Sequence, residues 1–165
     1  MARPPLTLRA KVLTVSDGVA DGSREDGSGT ALAARLLDAG FDVVDHRVTP
    51  DGREAVAKAL QELTDGFAGL VVTTGGTGFG PRDETPEGTL AVIDREAPGL
   101  AEAMRRVSDA GDRAFGMLSR GVCGSTGAAL VCNLPGSAGG ALECLEAVLP
   151  AVPHALELLA GGRPH

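Results

Sequence analysis

The chain contains no Trp and no Tyr, and it has only four Phe among its 165 residues. Since 43% of its residues are nevertheless apolar, the core must be built from smaller side chains, chiefly Ala, Val and Leu. No apolar stretch reaches the length that crosses a membrane, and the N-terminal segment lacks the continuous apolar region of a signal peptide. The length fits a single globular domain with a substantial core, and we expect no membrane partner.

Basic residues and cysteines are also scarce. The formal net charge of −7 argues against a general nucleic-acid surface, because such surfaces are basic. A small phosphorylated ligand remains compatible with this charge, since backbone N–H dipoles and a metal can hold it locally. Cys123, Cys132 and Cys144 are odd in number and lack the close pairwise spacing of a zinc site. We expect buried, reduced thiols, as in cytoplasmic proteins.

Apolar segments of strand length alternate with segments of helical periodicity. Strands are predicted at residues 10–16, 41–48, 69–73 and 128–133. Two helices are predicted in the first half of the chain, one from a Ser28 cap to about Ala39 and one from Asp51 or Gly52 to about Thr64. Three more are predicted in the second half: one around Pro86, one from about Pro98, and one from about Gly139 to Leu159. Pro150 and Pro153 are expected to break or kink the last of these helices. Residues 109–127 are predicted as loop and Gly-rich turns around a short apolar piece at 115–118. The alternation indicates an α/β protein whose mostly parallel central sheet is covered by helices on both faces.

The most informative segment is the Gly-rich loop, residues 75–83, which follows the third predicted strand. It contains Gly75, Gly76, Gly78 and Gly80 and ends at Asp83. Glycines let backbone N–H groups wrap closely around an anion, and a carboxylate beside a bound anion calls for a cation between them. The loop has no Lys and is therefore not a P-loop, and a dinucleotide fingerprint is excluded because Pro81 stands where its third glycine is needed. A turn between two elements is the simpler alternative; a phosphate ligand with a divalent metal is the functional hypothesis.

Four polar or Gly-rich segments follow predicted strands, and ligands of parallel sheets bind beyond the carboxyl ends of strands. These segments are Ser16–Asp17, Pro50–Asp51, the Gly-rich loop, and residues 133–137. Asp51 by itself fits a turn or a helix cap, and Asp83 by itself fits a partner of Arg82 or a cap before Pro86. Together the two acids suit metal binding or the orientation of one phosphate against another. No Ser/His/Asp or Cys/His arrangement is evident, so nucleophilic catalysis is disfavoured.

Two further groups have alternative interpretations. Asp26 lies in a polar loop that either is solvated, with Ser28 capping the next helix, or forms a lip over a ligand. Ser119 and Arg120 offer a hydroxyl and a bidentate anion clamp, although a salt bridge is the more common fate of one Arg.

Taken together and in this order, these motifs resemble those of the molybdopterin adenylyltransferase family, the Mog/MoaB type that also occurs as a domain of gephyrin. The matching pieces extend over about residues 10–160, and Thr-Thr-Gly-Gly-Thr-Gly at 73–78 is the most specific of them. The others are Thr14-Val15-Ser16-Asp17, Glu25-Asp26 with Ser28-Gly29, Pro50-Asp51, Pro81-Arg82-Asp83 with Thr85-Pro86-Glu87, Pro98-Gly99-Leu100, Leu118-Ser119-Arg120 and residues 133–136.

The resemblance implies a reaction and a set of roles. AMP is transferred from Mg-ATP to the terminal phosphate of molybdopterin, with release of pyrophosphate, and Asp51 and Asp83 are the catalytic, metal-binding acids. Substrate binding is carried over to Ser16, Asp17, Asp26, Gly75, Gly76, Thr77, Gly78, Ser108, Ser119, Arg120, Asn133, Pro135, Gly136 and Ser137. Of these, Ser16, Asp26, Ser108 and Ser119 match pterin-side positions, with the spacing near Ser108 differing around residues 110–113.

The resemblance also implies a three-layer α/β/α domain at residues 10–160, with an N-terminal extension (1–9) and a C-terminal tail (161–165). It implies a cytoplasmic homotrimer with Mg²⁺, ATP and molybdopterin as ligands and a molybdate-insertion enzyme as a possible partner. The alternative is a non-catalytic molybdopterin-binding or scaffolding protein, since a fold does not guarantee turnover. A nucleotide-binding oxidoreductase is a distant third hypothesis.

Overall fold

The computed structural model describes residues 5–111 and 113–163. The predicted N-terminal extension (residues 1–9) and C-terminal tail (161–165) lie partly outside the described residues, as does one residue of the 110–113 segment. The division of the chain into extension, domain and tail stays a prediction.

Strands alternate with helices along most of the described chain. The strands are β1 (Arg9–Val15), β2 (Asp42–Thr49), β3 (Gly69–Thr74), β4 (Arg95–Glu96), β5 (Cys123–Thr126) and β6 (Ala129–Leu134). The helices are α1 (Asp17–Ala20), α2 (Gly27–Asp38), α3 (Arg53–Thr64), α4 (Thr85–Leu90), α5 (Pro98–Ser108), α6 (Ala138–Val148) and α7 (Val152–Leu159), with a 3-10 helix at Phe115–Leu118.

One six-stranded sheet forms the centre of the structure, in the order β2-β1-β3-β6-β5-β4. The strands β2, β1, β3 and β6 are parallel, whereas β5 and β4 are antiparallel to their neighbours. Every residue of β3 and β6 is buried, as expected for strands covered on both faces. The prediction of a mostly parallel sheet is confirmed.

Helices cover both faces of the sheet. On one face, Val12, Val72 and Leu134 pack with apolar residues of α2, α5, α6 and α7. On the other face, Leu13 and Val131 pack mainly with α3, and α4 lies against α3. The three-layer α/β/α architecture is therefore confirmed, and the core is largely aliphatic, as the scarcity of aromatic residues requires.

The three cysteines lie within this structure as predicted. Cys123, Cys132 and Cys144 are buried and free. Cys123 and Cys132 pair across β5 and β6, and burial raises the pKa of the Cys144 thiol. These thiols belong to the core rather than to a metal centre or a reactive site.

Three local predictions were wrong. Residues 109–127 contain more than loop, because β5 lies within them and pairs with β6 on one side and with β4 on the other. A short segment rich in Gly, Ser and Thr carries no strand pattern until a neighbouring strand pairs with it. The short helix α1 was missed. The cap of α2 is Asp26 instead of Ser28, since the Asp26 side chain accepts a hydrogen bond from Gly29 N.

The last predicted helix is two helices. It breaks at the turn that contains Pro150, as predicted, but Pro153 lies in the first turn of α7. Proline at that position starts a helix rather than kinking it, since no N–H is needed there. Among the described residues, no helix combines the length and apolarity that crossing a membrane requires.

The strand order determines where a ligand can bind. The chain passes from β1 to β2 on one side, and then crosses back over β1 to β3 on the other side. This reversal opens a crevice at the carboxyl ends of the strands in open parallel sheets. The segments after β1, β2, β3 and β6 all lie at this edge.

Candidate functional site

A cavity of about 490 Å³ lies at the carboxyl edge of the sheet. Its walls come from the segments after β1, β2, β3 and β6 and from the N-terminus of α2. We call it the phosphate-side cavity. Its lining includes eight predicted site residues, namely Ser16, Asp26, Asp51, Gly75, Gly76, Asp83, Gly136 and Ser137. The structure thus brings together residues that are far apart in sequence.

Only glycine fits at the start of the Gly-rich loop. Gly75 has a φ of 103°, and a Cβ there would lie 2.2 Å from the carbonyl oxygen of Val15. Gly76 has a φ of 69°, and its Cβ would lie 2.2 Å from Thr85 Oγ1 and 3.3 Å from Asp51 Oδ1. At both positions a side chain is disfavoured by the left-handed backbone and is also excluded by the atoms packed against it.

Thr85 fastens this part of the loop. Its Oγ1 donates to Gly75 O at 2.9 Å, and its backbone N donates to Gly76 O at 3.1 Å. The Thr85 side chain is fully buried. Sequence reasoning did not assign Thr85 to the site, although its place at the first turn of α4 was a usable signal.

Arg120 holds the second half of the Gly-rich loop through hydrogen bonds to its backbone. Its Nε donates to Gly78 O at 2.8 Å, its Nη2 donates to Asp83 O at 2.6 Å, and its Nη1 pairs with Glu87. The backbone N of Arg120 donates to Thr77 O at 2.9 Å. Arg120 was predicted as an anion clamp, but the structure commits its guanidinium to the loop backbone, so it shapes the site from outside the cavity.

Asp51 and Asp83 both line the phosphate-side cavity, and each has one carboxylate oxygen held by a backbone N–H. Asp51 Oδ2 accepts from Asp17 N at 2.9 Å, and Asp83 Oδ2 accepts from Gly80 N at 2.9 Å. Within the described residues, Oδ1 of Asp51 and Oδ1 of Asp83 accept no hydrogen bond. Each acid is therefore oriented through one oxygen, and its other oxygen remains available.

Asp17 has a different environment from these two acids. Its Oδ1 accepts from Asp51 N at 3.1 Å and from Arg82 Nη2 at 3.0 Å, and its Oδ2 accepts from Arg82 Nε at 3.1 Å. Asp17 is not among the residues that line the phosphate-side cavity. It was predicted to bind substrate, but both of its oxygens are committed to protein groups.

The electrostatics of the acids follow from these contacts. Burial raises the pKa of Asp51, and the neighbouring carboxylates of Asp17 and Asp83 raise it further, against the opposing hydrogen bond from Asp17 N. The hydrogen bonds from Arg82 lower the pKa of Asp17. Asp51 and Asp83 are thus close enough to repel each other, and a cation between them would relieve that repulsion.

Among the described residues, no group of three or more His, Cys, Asp or Glu side chains is arranged to hold a metal ion. The two free carboxylate oxygens nevertheless fit Mg²⁺, which proteins commonly bind through one or two carboxylates together with substrate phosphates. The donor set is too small for a metal site built from protein alone, and it suits a metal that arrives with a phosphorylated ligand.

The N-terminus of α2 forms another wall. Asp26 Oδ1 accepts from Gly29 N at 2.9 Å, while Oδ2 accepts from Thr14 Oγ1 at 2.8 Å and lies 2.9 Å from His46 Nε2. His46 reaches Asp26 because a bulge shifts the register between β1 and β2. Asp26 therefore acts mainly as a cap that holds α2 near the cavity.

Further residues that line the cavity were not singled out from the sequence, although the interpretation of the loop before α2 as a lip over a ligand covers residues 24–28. They are Thr14, Val19, Arg24, Glu25, Gly27, Ser28 and Ala138. Arg24 is the most informative, because it brings a positive charge to a cavity with several carboxylates. Its position in the polar loop before α2 was the available signal.

A second cavity of about 580 Å³ adjoins the first. We call it the pterin-side cavity, after the pterin-side role that the family resemblance implies for Ser108 and Ser119. It lies between α5, α6 and the segment that follows the 3-10 helix, and its lining includes the predicted residues Ser108, Ser119, Asn133, Pro135 and Ser137. Ser137 lines both cavities, so the two spaces meet at the N-terminus of α6.

The resemblance grouped Ser16 and Asp26 with Ser108 and Ser119, but the structure separates them. Ser16 and Asp26 line the phosphate-side cavity, whereas Ser108 and Ser119 line the pterin-side cavity. The Ser16 hydroxyl also caps α1 by accepting from Val19 N. The predicted residues thus divide between two adjoining spaces.

Asn133 contributes to the wall with its side-chain amide fully engaged. Nδ2 donates to Thr73 Oγ1 at 3.0 Å and to Thr89 Oγ1 at 2.9 Å, and Oδ1 accepts from Val122 N at 3.1 Å. The residue is buried. Asn133 was predicted to bind substrate, but its amide joins β6 to β3, to α4 and to the segment before β5.

Comparisons with known proteins show which family the chain resembles. A family model described as "Probable molybdopterin binding domain" matches residues 11–154. The chain is 37% identical to the molybdopterin adenylyltransferase of Helicobacter pylori strain J99 over 158 residues, covering 94% of this chain and 89% of the relative. It is also 37% identical to the molybdopterin adenylyltransferase of Escherichia coli K12 over 171 residues, covering 94% and 87% of the two chains.

Solved structures give the same result. The molybdopterin biosynthesis enzyme MoaB of Thermus thermophilus superposes with a TM-score of 0.87 at 45% identity, covering 94% of this chain and 98% of that one. The molybdopterin biosynthesis Mog protein of Mycobacterium ulcerans superposes with a TM-score of 0.86 at 39% identity, covering 94% and 99%.

Proposed function

The chain belongs to the molybdopterin-binding domain family of molybdenum cofactor biosynthesis, and we propose that it is a molybdopterin adenylyltransferase. The reaction transfers AMP from Mg-ATP to the terminal phosphate of molybdopterin and gives adenylyl-molybdopterin and pyrophosphate. Relatives named for this activity are 37% identical over nearly the whole chain. The site residues and the metal are part of the same proposal.

The observation that carries the proposal is the pairing of Asp51 and Asp83 around the Gly-rich loop. The two acids follow different strands, line one cavity, and each leave one oxygen without a protein partner among the described residues. The loop between them has close-packed glycines that let a phosphate approach the backbone. Two acids and a phosphate cradle in one space suit a metal-assisted phosphoryl reaction.

Asp51 and Asp83 are the residues that would hold Mg²⁺, through their Oδ1 atoms. When bound, Mg²⁺ neutralises phosphate charge and polarises the phosphorus–oxygen bonds. The protein's own part is to orient the two acids, since each is fixed by a backbone N–H.

The two adjoining cavities fit two substrates. We assign the triphosphate to the phosphate-side cavity and the pterin to the pterin-side cavity, whose lining includes Met104, Phe115 and Cys144 as well as polar groups. The terminal phosphate of the pterin would meet the nucleotide near Ser137, at the N-terminus of α6. Backbone N–H groups at such a terminus attract anions.

The chemistry requires alignment and not a protein nucleophile. The attacking oxygen belongs to the molybdopterin phosphate, and it displaces pyrophosphate in line. Holding two anionic reactants at reacting distance supplies much of the rate. The chain's contribution is the loop, Arg24 and the helix termini, which offset charge, and the two acids, which place the metal.

The decisive experiment incubates the purified protein with molybdopterin and Mg-ATP and measures adenylyl-molybdopterin and pyrophosphate. We expect both products in equal amounts, with none when Mg²⁺ is chelated. Asp51→Asn and Asp83→Asn are each expected to lower the rate by roughly 10²–10³-fold, while the exposed Asp38→Asn on α2 serves as the control with the wild-type rate.

The Escherichia coli enzyme is assayed under the same conditions. If that enzyme forms the products while this protein binds molybdopterin and forms neither, this protein is a binding or scaffolding protein. Equal activity in Asp51→Asn and the wild type would also contradict the proposed roles.

We further propose a cytoplasmic homotrimer that passes its product to a molybdate-insertion enzyme. Phe115, Met117 and Leu118 are more than half exposed on the 3-10 helix, and an exposed apolar group of this kind supports a subunit contact.

A further inference from the structure

The structure points to a second layer of the site, outside the cavity. We infer that Arg82 and Asp17 are a positioning pair that fixes the Asp51 carboxylate with Oδ1 directed at the Gly-rich loop. The inference rests on the proposed function, because it assigns these residues to the reaction through Asp51. Neither residue lines the phosphate-side cavity, so their role is indirect.

Asp17 and Asp51 bond each other reciprocally. Asp17 N donates to Asp51 Oδ2 at 2.9 Å, and Asp51 N donates to Asp17 Oδ1 at 3.1 Å. Asp17 thus holds the side chain of Asp51 through its backbone N–H and the backbone of Asp51 through its carboxylate. One carboxylate oxygen of Asp51 is held, and the other lies 3.3 Å from the position that a Cβ of Gly76 would take.

The guanidinium of Arg82 bonds Asp17 and Asp51 together. Nε and Nη2 donate to the two oxygens of Asp17 at 3.1 and 3.0 Å, and Nη2 also donates to Asp51 O at 2.9 Å. Arg82 thus bonds both partners at once. It also lies over Gly52, where a Cβ would be 3.7 Å from Nη1.

The geometry requires arginine at this position. Two nitrogens of a planar fork reach both oxygens of one carboxylate, which the single ammonium of Lys cannot do. The pair is also neutral as a unit, so it orients Asp51 without adding net charge beside an anionic substrate.

The three residues come from the ends of three different strands. Asp17 follows β1, Asp51 follows β2, and Arg82 belongs to the loop after β3. The pair therefore ties together the strand ends that border the crevice. If the tie is lost, Asp51 can turn away from the cavity, and a displacement of about 1 Å at a reacting group can cost roughly 100-fold in rate.

The alternative is an ordinary surface ion pair. The side chains of Arg82 and Asp17 are 58% and 46% exposed, and exposed pairs contribute little to stability. The two interpretations therefore agree on stability and disagree on function. Arg35 and Glu146 provide a matched control, because they form a bidentate pair between α2 and α6, away from both cavities.

The test compares Arg82→Gln, Arg82→Lys, Asp17→Ala and Asp17→Asn with Arg35→Gln, using adenylyl-molybdopterin formation and thermal unfolding. We expect all five to unfold within a few degrees of the wild type. Arg82→Gln, Arg82→Lys and Asp17→Ala should lower kcat by about 10–100-fold, with the KM for molybdopterin changing less than threefold. Asp17→Asn should lose about tenfold or less, because its side-chain oxygen still accepts from Asp51 N. Arg35→Gln should keep the wild-type rate.

A binding measurement without turnover gives an independent readout. ATP affinity is measured by calorimetry with and without Mg²⁺. In the wild type we expect Mg²⁺ to raise the affinity, and in Arg82→Gln and Asp17→Ala we expect this gain to shrink at least threefold while the Mg²⁺-free affinity is unchanged. In an Asp51→Asn background, Arg82→Gln should change kcat less than twofold, because residues that act through one another are not additive.

The outcomes separate the two proposals. If the wild type forms no product and Mg²⁺ does not affect ATP binding, the proposed function fails. If the wild type is active but Arg82→Gln and Asp17→Ala behave like Arg35→Gln, the positioning role alone is overturned. The positioning role is likewise overturned if Arg82→Gln lowers kcat by the same factor in the wild type and in the Asp51→Asn background.

Discussion

At the scale of single residues, one amino-acid type has three different environments at this site. Asp17 is saturated by Arg82 and Asp51 N, Asp51 is partly buried with one free oxygen, and Asp83 is held by Gly80 N. Of these three residues, Asp51 and Asp83 each keep one carboxylate oxygen that accepts no hydrogen bond within the described part of the chain. The difference arises from neighbours and not from the residue type.

The unfavourable burial of the Asp51 carboxylate leads to a prediction about stability. Burial raises the pKa of this carboxyl, so its ionised form destabilises the folded state. We expect Asp51→Asn to raise the midpoint of thermal unfolding at pH 7 by roughly 1–3 °C, a small change since solvent screens a half-buried group. The same substitution is expected to lower the rate of adenylyl transfer, so stability and function would oppose each other here.

The pH dependence of this difference has a definite sign. The penalty is full above the folded pKa of Asp51, where the carboxyl is charged in both states, and it disappears as the pH falls below the ordinary value of 3.8. Calorimetry of both proteins from pH 7 down to the acid limit of reversible unfolding measures it. A wild type more stable than Asp51→Asn at pH 7 would contradict this account.

At the scale of secondary-structure elements, α2 shows how a cap connects a helix to the site. Asp26 satisfies Gly29 N and also bonds Thr14 of β1, while His46 of β2 approaches the same oxygen. Gly29 permits this close approach, because a Cβ there would lie 2.2 Å from Thr14 Oγ1. The helix is thereby fixed against two strands at its N-terminal end.

The competing caps of α2 can be separated by substitution. We expect Asp26→Ala to lower the free energy of unfolding by about 1–2 kcal/mol, since it removes a cap and the partner of a buried hydroxyl. Ser28→Ala is the control, with a change of less than about 0.5 kcal/mol. Urea unfolding measures both; a larger loss for Ser28→Ala than for Asp26→Ala would restore Ser28 as the cap.

At the scale of the whole molecule, the sheet consists of a parallel part that forms the site and an antiparallel edge. Asn133 joins them, because its amide contacts β3 through Thr73, α4 through Thr89, and the segment entering β5 through Val122 N. The residue is 2% exposed. Buried amides of this kind stabilise a fold only when every hydrogen bond is made.

Removing this amide should therefore affect the entire fold. We expect Asn133→Ala to lower the free energy of unfolding by about 2–4 kcal/mol, because it leaves several buried polar groups unpaired. Thr89→Val removes one partner and is expected to cost about 1 kcal/mol. Denaturant unfolding gives both values, and a loss below about 1 kcal/mol for Asn133→Ala would show that water or local rearrangement replaces the amide.

Much of this structure follows from local pattern. The alternation of apolar strands with periodic helices predicted the parallel sheet and its layers, since each element must bury an apolar face. Glycines at 75 and 76 indicated the loop, and the strand-end rule placed Asp51 and Asp83 at one edge. The short strands β4 and β5 and the helix α1 could not be predicted, because segments of two to four residues have no periodicity of their own.

The sequence by itself determined the fold class, the glycine loop and the position of the two acids, because these depend on periodicity and on backbone geometry that only glycine adopts. The tertiary structure alone decided which polar side chains remain available to a ligand. Asp17 meets Arg82 across 65 residues and Asp51 across 34, and Asn133 meets Thr73 across 60. Arg120 likewise directs its guanidinium at backbone carbonyls of the loop. A hydrogen-bond partner that lies so far along the chain leaves no local signal, so the sequence names the candidate groups and the folded structure assigns their roles.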